Sequence, residues 1–409
     1  MSRWRHQLPV RSPLSAAALL AGVRVAAGNG KAAAAVRQLD TLVRERYTPA
    51  ALLLTDSGTT ALRAALVATL AGRTGAAVAL PAFSCYDLAT AAEGAGVPVV
   101  LYDTDPQSLT PDLASLRRAL RLGAAVVVVV HLYGCAFDLA EVNHLAAEFG
   151  AVVIEDAAQA AGGMVQDRPA GTQSSLAVLS FGRGKGMTGG SGGALLAHDA
   201  VGVDIVERAR RLLGPARRGW SDLGAVTAQL MLEPPRLYAV PAALPFLHLG
   251  ETVYRDPHAP RAASPVSCAL VAATWTMAAQ EVGIRQRNAE RLLERLASAG
   301  RGRAFGAIQT SAAARPGYLR LPVLAAPEAR RAVGERSARR LGIMPAYPKV
   351  LSDLDGFAAR CANRDAAFPG ARTLVARLCT LPTHGRLGER DLAALEQWID
   401  VVAAREPRV

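Results

Sequence analysis

Between Thr55 and His198 short apolar runs alternate with amphipathic stretches, the pattern of strands joined by crossover helices in a mostly parallel sheet. Residues 77–80, 99–101, 124–130 and 151–154 are the expected strands, and Pro98 stands just before the second, where a strand start tolerates it. Residues 113–122 and 139–149 carry apolar side chains at helical spacing and are expected to cover the sheet. Ligands in such sheets lie outside the carboxyl ends of the strands, where Pro81, Asp103, His131 and Asp156 fall. Farther along, a helical pattern from Pro265 through Trp275 and Arg285 to Leu296 reads as a connector into a smaller α+β unit. Residues 318–323 and 376–382 are its expected strands and 389–404 its last helix. The expected division is therefore 1–250, an N-terminal arm and large α/β domain, and 251–409, the connector helix and small C-terminal domain.

Two stretches depart from this pattern. Residues 223–250 are strongly apolar, yet Pro234, Pro235, Pro241 and Pro245, with Glu233 and Arg236, exclude a straight membrane-spanning helix. Packing within the protein or at a subunit interface is the expected role, ahead of membrane association. The small-residue run from Ser15 to Leu20 is short and soon meets Arg24, so an ordered arm and helix is expected rather than a secretory leader. A charged, helix-like stretch follows over residues 31–46.

Composition narrows the class. With 409 residues, 51% of them hydrophobic, the chain can bury a large core and reads as a globular enzyme. The net charge of +12 comes mostly from arginines spread along the chain, with small clusters at 208–211 and 217–218. No element concentrates them with a base-reading motif, so nucleic acid is not an expected partner; attraction for anionic substrates is. The five cysteines are odd in number, far apart and without CxxC spacing, which argues against a zinc site or a disulfide framework and for the reducing cytoplasm.

Candidate chemistry comes from two segments. Glu155-Asp156-Ala157-Ala158-Gln159-Ala160 and Ser180-Phe181-Gly182-Arg183-Gly184-Lys185 place an acid and a lysine at the ends of two apolar runs. That pairing suggests pyridoxal phosphate (PLP): a buried carboxylate keeps the pyridine nitrogen protonated while a lysine links to the cofactor and then moves protons. Asp156 ends a buried strand, where an unpaired carboxylate would be costly. The Thr55 to Leu62 segment joins a strand to a helix, and its Ser57-Gly58-Thr59 turn would offer backbone amides to a phosphate or serve as an ordinary helix cap. His131, at a strand end, reads as a structural histidine.

Taken with the Pro81 loop, His131-Leu132-Tyr133-Gly134, Gly162-Gly163, Gly192-Gly193, Phe368-Pro369-Gly370-Ala371 and Leu381-Pro382-Thr383-His384, these motifs closely resemble the DegT/DnrJ/EryC1/StrS family over nearly the whole chain. Its members are PLP-dependent aminotransferases of fold type I, acting mostly on keto groups of nucleotide-linked sugars. The resemblance implies that Lys185 carries the covalent link, Asp156 pairs with the pyridine nitrogen, Gln159 bonds near the phenolic oxygen, and Gly58, Thr59 and Ser180 bind the phosphate. Where the family stacks an aromatic ring on the cofactor, four residues after the proline, this chain has Cys85; Tyr86 is taken as the stacking residue, ahead of Phe83. Ser191 replaces a common acid before the Gly-Gly, and the family's Gly-x-Asn-x-Arg segment is not recognisable after Arg218, where Trp220-Ser221-Asp222 stands. The implied protein is a cytoplasmic homodimer that transfers an amino group from an amino acid, glutamate foremost, to a keto sugar in surface-polysaccharide or secondary-metabolite biosynthesis. A lysine rather than a histidine at position 185 argues against the family's dehydratase branch. The alternatives are a scaffold that keeps the fold without transamination, and a PLP enzyme acting on a non-sugar acceptor.

Overall fold

The computed structural model describes residues 5–28, 30–242, 252–299 and 303–405. Seven strands, β1 (Ala51–Thr55), β2 (Ala77–Pro81), β3 (Val99–Tyr102), β4 (Ala124–Val130), β5 (Val152–Asp156), β6 (Leu176–Ser180) and β7 (Gly193–Ala197), form one sheet in the order β1-β7-β6-β5-β4-β2-β3. Every neighbouring pair is parallel except the two made by β7, which runs against both β1 and β6. The valine run of β4 is buried along nearly its whole length, as expected of a strand covered on both faces. Helices α1 (Ala16–Ala26), α2 (Ala32–Tyr47), α3 (Gly58–Leu70), α4 (Asp87–Ala95), α5 (Leu113–Arg121), α6 (Ala140–Glu148) and α7 (Ala200–Arg210) precede α8 (Trp220–Leu232), α9 (Pro235–Ala242) and the connector α10 (Pro265–Ser298). A second, antiparallel sheet of β8 (Phe305–Ala307), β9 (Leu321–Ala325), β10 (Met344–Pro345) and β11 (Leu378–Leu381) has the order β8-β9-β11-β10. Helices α11 (Pro369–Arg377) and α12 (Glu389–Ala403) accompany it.

The differences from expectation have local causes. Strand β5 runs on to Asp156, held by pairing of Val130 with Asp156 on one side and Asp156 with Val178 on the other. The strand expected over 318–323 begins only at Leu321, because Tyr318 has φ +41° and its neighbour Gly317 lies against the loop after β5, where a Cβ would meet the Ala161 carbonyl at 2.5 Å. Residues 347–374 fold back onto the first sheet: the side-chain amide of Asn363 bonds both the N–H and the C=O of Leu101 at 2.8 Å. The carboxylate of Asp103 accepts from the amides of Gly370 and Ala371 at 2.8 and 2.7 Å. Asp103, expected among ligand-facing strand ends, is thus engaged with the N-terminus of α11.

The Pro-broken stretch is helical in its described part. Leu223 and Val226 pack with Leu14, Ala18, Val266 and Leu270, while Met231, Leu237 and Val240 stay exposed. Between α8 and α9, Glu233 is buried and paired with both Arg11 and Arg386, tying this stretch to the N-terminal arm and to the loop before α12. Residues 243–250 lie outside the described residues. Among the described residues no helix is long and apolar enough to cross a membrane.

Candidate active site

Three strand ends meet at the N-terminus of α3. Ser57, in extended backbone, caps the helix by accepting from the Thr60 amide at 3.0 Å. Gly58 and Thr59 stand in the first turn, where amides have no intrahelical acceptor. The approach is close enough to require glycine: a Cβ on Gly58 would lie 2.9 Å from the Cβ of Ser180, and one on Gly193 would lie 2.5 Å from the Gly58 nitrogen. Ser180, ending β6, therefore faces the free amides of α3, and the two elements form a cradle for an anion.

Asp156 ends the adjacent β5, buried, with one carboxylate oxygen accepting from the Ala158 amide at 2.9 Å. Burial pushes its carboxyl up, against the pull of the Ala158 N–H and the Lys185 charge, and the net displacement is upward. Lys185 lies in the loop after β6 and is half-buried. Burial pulls its ammonium down, but the carboxylates of Asp87 and Asp156 act against that, and the net displacement is upward. Burial, with Asp87 beside it, pushes the Cys85 thiol up to about 12, so the thiol is protonated rather than nucleophilic. Acid and lysine, separated by 29 positions in sequence, are thus coupled electrostatically at one end of the sheet.

Gln159 is held by two aromatic residues: its side-chain oxygen accepts from the Tyr133 amide at 3.2 Å and its amide nitrogen donates to the Tyr347 hydroxyl at 2.8 Å. Tyr347 stacks on Tyr133 at 5.9 Å between ring centroids and also meets Phe83 and Tyr86 at 5.3 and 6.3 Å. Tyr86 is buried, and its hydroxyl accepts from the Lys349 amide at 3.0 Å. His131 is fully buried and hydrogen-bonded to Glu155 at 2.8 Å, as a structural histidine. The structure therefore brings Gly58, Thr59 and Ser180 together, and separately couples Asp156 with Lys185. Cys85 and Asp87 join that couple, while Tyr86 packs on Tyr347. Sequence reasoning missed Tyr347 and Asp87. Asp87 follows the Pro81 loop at the start of α4, where an acid is an ordinary first-turn residue, and Tyr347 reaches the site from the second sheet with no periodic signal.

Residues 28–223 match the model of the DegT/DnrJ/EryC1/StrS aminotransferase family. The likeness to that family covers a little under half of the chain. An L-glutamine:2-deoxy-scyllo-inosose aminotransferase of Micromonospora echinospora is 35% identical over 184 residues, 43% of this chain and 43% of that protein. GDP-perosamine synthase of Caulobacter vibrioides is 33% identical over 169 residues, 40% and 44% of the two chains. The matched region thus spans less than half the length of these relatives. The fold likeness extends farther: a family aminotransferase from Brucella abortus superposes with a TM-score of 0.74 at 21% identity, covering 95% of this chain and 96% of its own. The aminotransferase TlmJ from Streptoalloteichus hindustanus gives 0.75 at 22% identity, covering 98% and 99%.

The residues of this end of the sheet fit PLP. The cradle of Gly58, Thr59 and Ser180 suits its phosphate, the buried Asp156 suits a cationic ring nitrogen, and Lys185 suits its aldehyde.

Proposed function

We propose that the chain is a PLP-dependent aminotransferase that moves an amino group from an amino acid, such as glutamate, to the keto group of a sugar. The observation that carries this reading is the buried carboxylate of Asp156, electrostatically coupled to Lys185 beside a glycine-lined anion cradle. PLP, when bound, supplies an electron sink for charge developing at the substrate carbon. Gly58, Thr59 and Ser180 would hold the phosphate and fix the ring's position. Asp156 would retain the proton on the ring nitrogen; its burial among apolar strands makes a neighbouring cation the stable partner for its charge. Lys185 would form the covalent link and, once released by the donor amine, carry the proton to and from the substrate carbon. Gln159, fixed by Tyr133 and Tyr347, would orient the opposite edge of the ring, and Tyr86 would line its face. A homodimer in the cytoplasm, serving surface-polysaccharide or secondary-metabolite biosynthesis, is the setting we infer, with free cysteines suited to reducing surroundings.

Protein loaded with PLP and treated with borohydride should carry the cofactor on the peptide containing Lys185, and an amino donor should change its absorbance. Absence of the label at saturating PLP overturns the reading. A label with no response to any member of a broad amino-acid panel would favour the scaffold alternative.

A further inference from the structure

Helix α10 lies along the two loops that carry the candidate chemistry, and it meets them with a buried charge. The loop holding Lys185 is closed at its base, where the Phe181 amide donates to the Gly192 carbonyl at 2.8 Å and the Gly189 amide to the Phe181 carbonyl at 2.9 Å. Ser267, near the start of α10, ties down its far end by donating to the Ser191 carbonyl at 2.7 Å. About five turns later on the same face stands Arg285. Its Nη2 donates at 2.7 Å to the Ala161 carbonyl, in the loop after β5. Its Nη1 backs the lysine loop: Gly186, with φ +84°, is so enclosed that a Cβ there would lie 3.1 Å from Nη1 and 2.5 Å from the Cβ of Ala161. One guanidinium thus meets both loops, beside Lys185 in one and two residues beyond Gln159 in the other.

This arrangement is costly for the fold. Arg285 is 1% exposed, and among the described residues its Nε and Nη1 have no hydrogen-bond partner. Burial draws the guanidinium down to about 10, with Glu281, one turn earlier, acting the other way. That carboxylate is itself engaged by Arg11 and the Gly385 amide, at 3.0 and 2.7 Å. A buried cation whose donors are mostly unmatched destabilises, and an apolar side chain of similar length would fill the space without that penalty. Groups kept at a cost in stability are expected where activity requires them. We propose that Arg285 is a positioning residue: it locks the lysine loop against the loop after β5, so that Lys185 keeps its place relative to Asp156 and Gln159. The inference rests on the reading of Lys185 as the proton carrier and adds the residue that holds its loop. A displacement of about 1 Å at a reacting group can slow a step about a hundredfold, so a loosened loop is felt in turnover before it is felt in stability.

The test compares wild type with Arg285→Met, Arg285→Lys and, as a control at an exposed position of α10, Arg287→Met. In cofactor-free protein, hydrogen exchange of a peptide spanning 182–190 should quicken about tenfold or more in Arg285→Met, with peptides of the second sheet unchanged. Its melting temperature should stay within about 2 °C of wild type, because the buried charge and its desolvation are removed together. With PLP and an amino donor, the half-reaction of Arg285→Met should slow about tenfold or more. Arg285→Lys, which keeps one donor for the Ala161 carbonyl, should fall in between, and Arg287→Met should match wild type. Exchange and half-reaction rates within about twofold of wild type in Arg285→Met would overturn the lock. Faster exchange spread evenly over the chain would overturn it too, as the mark of lower global stability. If the methionine variant does not fold, Arg285→Lys decides by the same two rates. Borohydride labelling of Lys185 in wild type separates the two claims: a label with no effect of Arg285 on the loop defeats the lock alone, and no label defeats the aminotransferase reading.

Discussion

Glu155 is the residue whose removal should cost the fold most directly at the site. It neighbours Asp156 on β5 and, by strand alternation, points to the opposite face. There, at 0% exposure, its carboxylate accepts from the Gly171 amide at 2.5 Å and the Gln173 amide at 2.8 Å, and bonds the His131 ring at 2.8 Å. Glu155→Ala would leave these three groups without that partner, the Gly171 amide and the His131 ring buried and Gln173 half-buried. At about 1–3 kcal/mol for each orphaned buried group, and 3–5 for breaking a buried pair, a loss of about 4 kcal/mol is expected. Glu155→Gln keeps the shape and one acceptor, and should lose about half as much. In a chain of this size the alanine variant should melt roughly 5 °C lower. Hydrogen exchange should accelerate first in peptides containing Gly171 and Gln173. The pH dependence has a definite sign. Burial pushes the Glu155 carboxyl up, but His131 and the two amides outweigh it, so in the fold it lies below its usual value. Its contribution is therefore complete above the unfolded value of about 4.3 and is lost as pH falls through the folded one. The gap in melting temperature between wild type and variant should be widest near neutrality and shrink on acidification. A Glu155→Ala protein melting within about 1 °C of wild type, or a gap that widens in acid, would refute the reasoning.

Other substitutions test the proposed chemistry. Lys185→Ala should abolish turnover and borohydride labelling together while PLP still binds through the cradle; measurable turnover would exclude the lysine as proton carrier. Asp156→Asn should keep the label but slow the donor half-reaction by about two or more orders of magnitude, read by stopped-flow absorbance. Gly58→Ala brings a Cβ within 2.9 Å of that of Ser180, so cradle and strand must separate. Fluorescence titration of the cofactor-free protein should then show PLP affinity reduced about tenfold or more.

The local signals in this sequence determined the sheet's strands and the covering helices, because apolar run length and periodicity depend only on neighbours along the chain. β4 appears over Ala124–Val130 as the valine run predicts, and α12 ends within a residue of its expected boundary. The Ser-Gly-Thr turn, Asp156 and Lys185 were legible for the same reason, as small residues, an acid and a lysine at the ends of apolar runs. What the chain could not show by itself is which ends meet. The antiparallel course of β7, which sets Gly193 against Gly58, is a matter of pairing between distant segments. The same holds for Tyr347, carried from the second sheet onto Gln159, and for Asp103, drawn away from the ligand end to hold α11. Arg320 reads in sequence as one basic residue among 46; only the tertiary structure shows it half-buried with its Nε donating to the Pro9 carbonyl, because pairing and desolvation are properties of surroundings assembled from the whole chain.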